Sequence, residues 1–235
     1  MDINKMCGRS TLTKGIKSLS ENFSVDHWDF KNLKSNYNIF PGEFTPVLIK
    51  EKEIRVVKKM RWGLIPSWSK NITIGNNMIN ARSETLLEKP SFQNLINQNR
   101  CIVFSDGYFE WKIENGIKKP FYIHHHEKKT LPMAGLWTKW TSNNSEKIHS
   151  YTIITTAAQK QLSSIHRRMP VILNKDDIED WLNTNNRRNS ITLEKLHQIN
   201  SRLNFHPVSS FVNSVKNNTK RCIQRVTISE TISLF

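Results

Sequence analysis

Cysteine is scarce in this chain: three residues, at positions 7, 101 and 222, in a total of 235. That is too few for a disulfide framework, and no CxxC pair or His/Cys spacing suggests a zinc site. Free thiols point to a reducing compartment. The opening MDINKMCGRS has no apolar core of the kind a secretory signal carries. No apolar run approaches the ~20 residues needed to span a bilayer. The expected location is therefore the cytosol, or the nucleus in a eukaryotic host. Acidic residues are also in short supply. Twenty Asp and Glu face 35 Lys and Arg, giving a net charge of +15 and a pI near 9.9. A charge of that size favours a polyanionic partner, because each neutralised phosphate releases counterions. No Gly-rich phosphate loop is present, so no nucleotide, metal or redox cofactor is expected.

What the chain does have is short β-like runs, at 45–50, 53–60, 101–105, 108–113, 120–125, 131–138, 150–156 and 222–228. All are rich in β-branched and aromatic residues. Asn115-Gly116 lies between two of them, so 108–125 reads as a hairpin with a type I′ turn. Helices are expected at 13–23, at 90–98 with Pro90 in the first turn, at 158–165, at 175–183 capped by Asn174, and at 191–200. Strands interrupted by helices without regular βαβ alternation give an α+β fold. The Asn/Lys-rich stretches 183–189 and 213–221 are too short to be domain linkers, so one domain is expected.

Four residues stand out for chemistry. Cys7 precedes Gly8-Arg9, where glycine allows close approach of a ligand and arginine favours a thiolate. Asn80 lies in MINARSET (78–85), an amide beside Arg82. Glu110, in SDGYFEWK (105–112), falls on the opposite strand face from Phe109 and Trp111. A half-buried pocket there would raise its pKa and suit it to acid/base work. His166, in SSIHRRMP (163–170), sits beside two arginines that disfavour its protonation. Trp62 and Trp68 lie in RWGLIPSWSK (61–70), and Tyr37-Asn38 precede Pro41-Gly42. Aromatic faces among basic residues are suited to holding unpaired bases. His124–His126 alternate across a strand and converge poorly on one ion.

Taken in order, MCGR (6–9), YNIFPG (37–42), RWGLIPSW (61–68), INARSET (79–85), SDGYFEWK (105–112), MAGLW (133–137), HRRMP (166–170) and FHPVSSFVNSVKNN (205–218) resemble the SOS-response-associated peptidase family. Their joint order and spacing are specific although each motif is short. The resemblance implies an α+β fold built on a strongly twisted, mainly antiparallel sheet. It also implies crosslinking to abasic sites in single-stranded DNA. Cys7, Asn80, Glu110 and His166 match the family's active-site positions. Arg9, Asn38, Arg82 and Arg168 match residues lining its DNA surface. Pro41 and Trp68 match the elements that separate bases around the lesion. A monomer is expected.

One departure has chemical weight. In the family, cysteine directly follows the initiator methionine, whereas here five residues precede Met6-Cys7. An amide nitrogen cannot condense with an aldehyde, so crosslinking requires that residues 1–6 be absent or removed, leaving one domain over 7–235. Translation from Met6, or self-cleavage of the Met6–Cys7 bond, would each expose the amine. The third alternative is a chain that does not crosslink. The competing functions are a thiol autopeptidase and a non-catalytic reader of unusual DNA.

Overall fold

The computed structural model describes residues 8–184, Leu196 and 202–226. Cys7, the 1–6 segment, the 183–189 loop beyond Thr184 and all of the expected 191–200 helix except Leu196 lie outside the described residues.

Five long strands form a closed barrel: β4 (Phe44–Glu51), β5 (Ile54–Trp62), β7 (Arg100–Ser105), β10 (Leu131–Thr141) and β11 (Lys147–Ala157). They run in the order β11-β10-β7-β4-β5 with antiparallel neighbours. A parallel pairing of Ser150 with Arg61 and Tyr151 with Trp62 returns β5 to β11 and closes the ring. Closure leaves no long exposed edge between these strands. Both faces of these strands carry buried apolar side chains, with Val47, Met60 and Met133 on one face and Val57, Ile102 and Ile154 on the other, all essentially inaccessible. At the closing seam Trp62 lies parallel to Tyr151, centroids 6.4 Å apart, and donates its indole N–H to Ile79 O at 3.0 Å. Three short strands extend this system. They are β2 (His27–Trp28) on β5, and β6 (Asn80–Arg82) and β12 (Arg168–Pro170), both on β11.

The second layer is a five-stranded sheet ordered β13-β9-β8-β1-β3, from β1 (Ser10–Leu12), β3 (Asn36–Ile39), β8 (Gly107–Glu114), β9 (Ile117–His125) and β13 (Leu203–Pro207). The chain passes from barrel to sheet at Asp106, whose carboxylate accepts from the Thr13 amide at 2.6 Å and the Thr13 hydroxyl at 2.7 Å. Gly107 is required at this crossing. A Cβ there would meet the Tyr122 ring at 2.5 Å and Ile123 O at 2.6 Å. The β8–β9 hairpin turns at Asn115-Gly116 with φ of 50° and 79°. Positive φ at both central residues is the type I′ geometry expected from the sequence.

Mixed strands and a few short helices make an α+β fold with a mainly antiparallel core, as expected. Helix α1 (Ile16–Phe23) occupies the later part of the expected 13–23 segment. The expected 90–98 helix is two single turns, α2 (Pro90–Gln93) and α3 (Leu95–Gln98), which meet at Asn94. Helix α4 (Asp177–Leu182) forms, but the Asn174 side chain does not cap it. Its amide donates to Asp177 Oδ2 at 3.1 Å.

Two further expectations fail. Residues 158–165 are hydrogen-bonded turns rather than a helix, with Leu162 and Ser163 both bonding back to Gln159 O. The helical pattern there reflects only Leu162 and Ile165 facing the core. The run 222–228 is not a strand in its described part. Residues Lys220–Ile223 wind as a 3-10 turn, and only Arg225 bridges to Val208. Burial of the Cys222 side chain among Phe109, Tyr122, Val208 and Val212 satisfies the apolar content without a ladder.

Candidate active site

The two layers meet along β8, and residue parity there assigns the faces. Phe109 packs with Tyr122, Val208 and Val212 behind the five-stranded sheet, and Trp111 packs against the same cluster. Tyr108 joins the barrel-side core. Glu110 therefore projects toward the barrel side, where it is 3% exposed. The sequence pointed to a half-buried carboxylate, and the burial is deeper than that.

His166 stands over Glu110, with Nδ1 4.0 Å from Oε1, and keeps about a quarter of its side chain accessible. Its Nδ1 lies 3.2 Å from the Arg168 amide nitrogen and 3.3 Å from the Arg168 carbonyl oxygen. The Arg168 backbone thus orients the ring.

Antiparallel pairing sets Ser10 opposite Tyr108, and the Phe109 amide donates to Arg9 O at 3.0 Å. Continued by one residue, this register puts Gly8 across from Glu110. Gly8 is the covalent neighbour of Cys7. Asn80 opens β6, whose parallel register pairs Asn80 with Ile153, Ala81 with Ile154 and Arg82 with Thr155. On the other edge of β11, Met169 pairs with Thr156 and Arg168 with Ala157. The end of β11 thus runs between the segment bearing Asn80 and Arg82 and the segment bearing His166 and Arg168.

The expected DNA-contacting residues divide into two groups. Trp68 is 63% exposed. Arg82 is exposed, and Pro41 is half-buried in the loop that turns at Gly42. Arg9 and Asn38, by contrast, are 7% and 1% exposed. The Arg9 guanidinium donates to Asn38 Oδ1 at 2.7 Å, Val212 O at 2.9 Å and Asn213 O at 3.1 Å. Asn38 Nδ2 reaches Val212 O, Ser214 O and Asn217 O at 3.2, 3.0 and 2.7 Å. Burial draws the Arg9 pKa below the ordinary arginine value, although Cys222 and Glu43 oppose this. These two residues form a clasp beneath the 209–218 turn. Arg168 is also engaged internally. It grips Glu84 through both carboxylate oxygens, at 2.5 and 2.9 Å, and Thr155 O at 2.6 Å.

Glu84 is the residue that sequence reasoning missed. It lies two positions after Arg82 but reaches Arg168, 84 residues later. Its only signal is an acid in a basic motif. Phe44, 56% exposed three residues after Pro41, is a second aromatic that the sequence did not single out. Among the described residues no group of three or more His, Cys, Asp or Glu could hold a metal ion.

The SOS response associated peptidase (SRAP) family profile matches residues 6–215. This chain belongs to that family. It is 36% identical over 222 residues to abasic site processing protein YoqW of Bacillus subtilis, an alignment covering 93% of this chain and 99% of the relative. Against abasic site processing protein HMCES of Gallus gallus the identity is 36% over 224 residues, covering 81% of this chain and 66% of that protein. A crystal structure of a protein from Bacteroides thetaiotaomicron superposes with a TM-score of 0.83 at 26% identity, covering 94% of this chain and all of the other.

Proposed function

We propose that this protein processes abasic sites in single-stranded DNA by forming a covalent crosslink through Cys7. The observation that carries the reading is the buried Glu110 carboxylate 4.0 Å from a half-open His166, opposite the point where the chain leaves Gly8 toward Cys7. The relatives' names, abasic site processing protein, supply the substrate class.

The chemistry runs in two steps. An abasic deoxyribose opens to an aldehyde at C1′. The Cys7 α-amine adds to it and expels water, giving an imine. The Cys7 thiol then adds across the C=N bond, sulfur to carbon and a proton to nitrogen, and closes a five-membered thiazolidine. The second step is intramolecular, so its effective molarity is high. Glu110 supplies and accepts the proton needed for ring opening and for dehydration of the carbinolamine. His166 relays protons between that carboxyl and solvent, and Asn80 orients the amine or the sugar oxygen. Trp68 and the Pro41 loop part the bases around the lesion, with Arg82 on the phosphates. Arg168, held by Glu84, orders the His166 ring as well as bordering the strand. Arg9 and Asn38 shape the DNA-facing turn from beneath.

This chemistry requires Cys7 to be the mature N-terminus, and the family match beginning at Met6 supports that reading. Self-cleavage at Met6–Cys7, with the same thiol as nucleophile, is one route to it. The test incubates wild-type, Cys7→Ala and Glu110→Gln proteins with an abasic single-stranded oligonucleotide and resolves heat-stable adducts on a denaturing gel. Loss of the adduct in Cys7→Ala and at least tenfold slower formation in Glu110→Gln are expected. A Cys7→Ala adduct at wild-type yield would overturn the reading. DNA affinity without any adduct in the wild type would favour a non-catalytic reader.

A further inference from the structure

At the opposite end of β1 from Glu110, a groove of about 760 Å³ opens between α1, the 125–132 segment and residues 172–178. Gly8 and Lys14 are six residues apart, so extended chain separates the two places by up to about 20 Å. The groove's walls carry Lys14, Lys128, Lys129, Lys175 and Arg202, against a single carboxylate, Glu21. Its floor is apolar, formed by Phe23, Leu131, Pro132 and Ile178 among others. Thr130 also lines it. This residue is 8% exposed, and its hydroxyl has no hydrogen-bond partner. A buried hydroxyl without a partner costs free energy, which a ligand oxygen would recover once rotation about Cα–Cβ turned the hydroxyl into the groove.

The electrostatics agree with the geometry. His125, on the same wall, is held below the ordinary histidine range by burial, then by the positive charge of His126, Lys129 and Lys14, with Glu127 opposing. Lys14 donates to Lys128 O at 2.7 Å, which fixes its ammonium at the groove rather than in bulk solvent.

We propose that this groove is a second binding site, for a nucleoside phosphate. The cations of Lys14, Lys175 and Arg202 take the phosphate, the Thr130 hydroxyl bonds an oxygen of the ligand, and the apolar floor receives the sugar and base. Glu21 and Asn22 line the same wall and supply an acceptor and a donor for a base edge. The volume lies within the range of small-molecule sites. Charge alone would admit any anion. The apolar floor under a cationic rim selects one with a flat apolar body.

Two sources present this chemistry: a free mononucleotide, and a nucleotide in the flank of a bound DNA strand. The first arm titrates the full-length protein with dAMP and with inorganic phosphate by calorimetry, and so does not depend on crosslinking. The second compares affinity for short and long intact single strands. Both use Lys175→Glu/Arg202→Glu, two exposed positions whose change leaves the fold intact, and Thr130→Val. Saturable dAMP binding at one site, at least tenfold tighter than phosphate, is expected. The double variant should weaken it at least tenfold and Thr130→Val about threefold. A gain in affinity with strand length that the double variant removes would assign the site to DNA flanks. Equal binding of dAMP and phosphate would overturn the nucleoside assignment. So would absence of dAMP binding together with strand-length dependence unchanged in both variants.

Discussion

Two sets of residues expected to meet DNA have opposite fates in the structure. Arg9 and Asn38 are buried and their hydrogen-bonding groups are used on the 212–217 backbone. Trp68 and Arg82 are exposed, Trp68 in the segment that follows β5 and Arg82 at the end of β6. A charged or amide side chain in such a motif thus has two possible uses. It can stay free for a ligand, or it can set the backbone around it. The first is read by affinity and salt dependence, the second by stability.

The largest effect should come from the buried set. Asn38→Ala removes its three hydrogen bonds to the 212–217 backbone and takes one acceptor from the Arg9 guanidinium, at about 0.5–1.5 kcal/mol for each bond lost and about 1–3 kcal/mol for a buried donor left dry. Denaturant unfolding should show a loss of about 3 kcal/mol, with a lower yield of adduct because the turn is displaced. Trp68→Ala should reverse this pattern. Its stability should stay within about 0.5 kcal/mol of wild type. Affinity for single-stranded DNA should fall by about 1–3 kcal/mol, the worth of one stacked base. If Trp68→Ala destabilised the fold as much as Asn38→Ala, the division between the two sets would be wrong.

Glu84→Gln tests a residue between the two sets. The pair with Arg168 is partly exposed, so its stability contribution is about 1 kcal/mol or less. Its effect should appear instead in the crosslinking rate and its pH profile, through His166. An unchanged pH profile would show that Glu84 is only structural. The smallest effect is expected far from the site, at Glu179. Hydrogen bonds from Lys50 and Arg55 hold this carboxyl below the usual range. A depressed folded-state pKa gives stability that is present above the unfolded value and is lost as pH falls through the folded one. Glu179→Gln should therefore cost at most about 1 kcal/mol near neutrality. The difference from wild type should vanish as pH falls below the ordinary glutamate value and through the lower folded one, measured by thermal unfolding.

Much of the barrel is legible in the sequence because its strands are long. Runs such as 45–50 and 150–156 are apolar enough to stand out, and Asn115-Gly116 specifies its turn through two positive φ angles. The site is less legible for a physical reason. It is assembled on β1, β6 and β12, each three residues long. Three residues are too few to show a period, and such strands persist only because β8 and β11 hold them. The parity of Phe109, Glu110 and Trp111 does give the carboxylate's face. It does not give the depth of burial, which depends on what the barrel brings to that face. Nor does sequence distinguish Arg9 from Arg82, since both are arginines in short motifs. Only the 209–218 turn, more than two hundred residues from Arg9, separates them. The run ending in Cys222 looks like a strand because apolar content alone does not fix backbone geometry.

The proposed capture of an abasic aldehyde rests on Cys7 carrying a free α-amine. Intact mass of the protein made in its native host, before and after incubation with an abasic oligonucleotide, tests it most directly. The expected result is a chain of residues 7–235, and an adduct equal to that chain plus the oligonucleotide minus one water. A full-length chain beginning at Met1 that forms no adduct would contradict it.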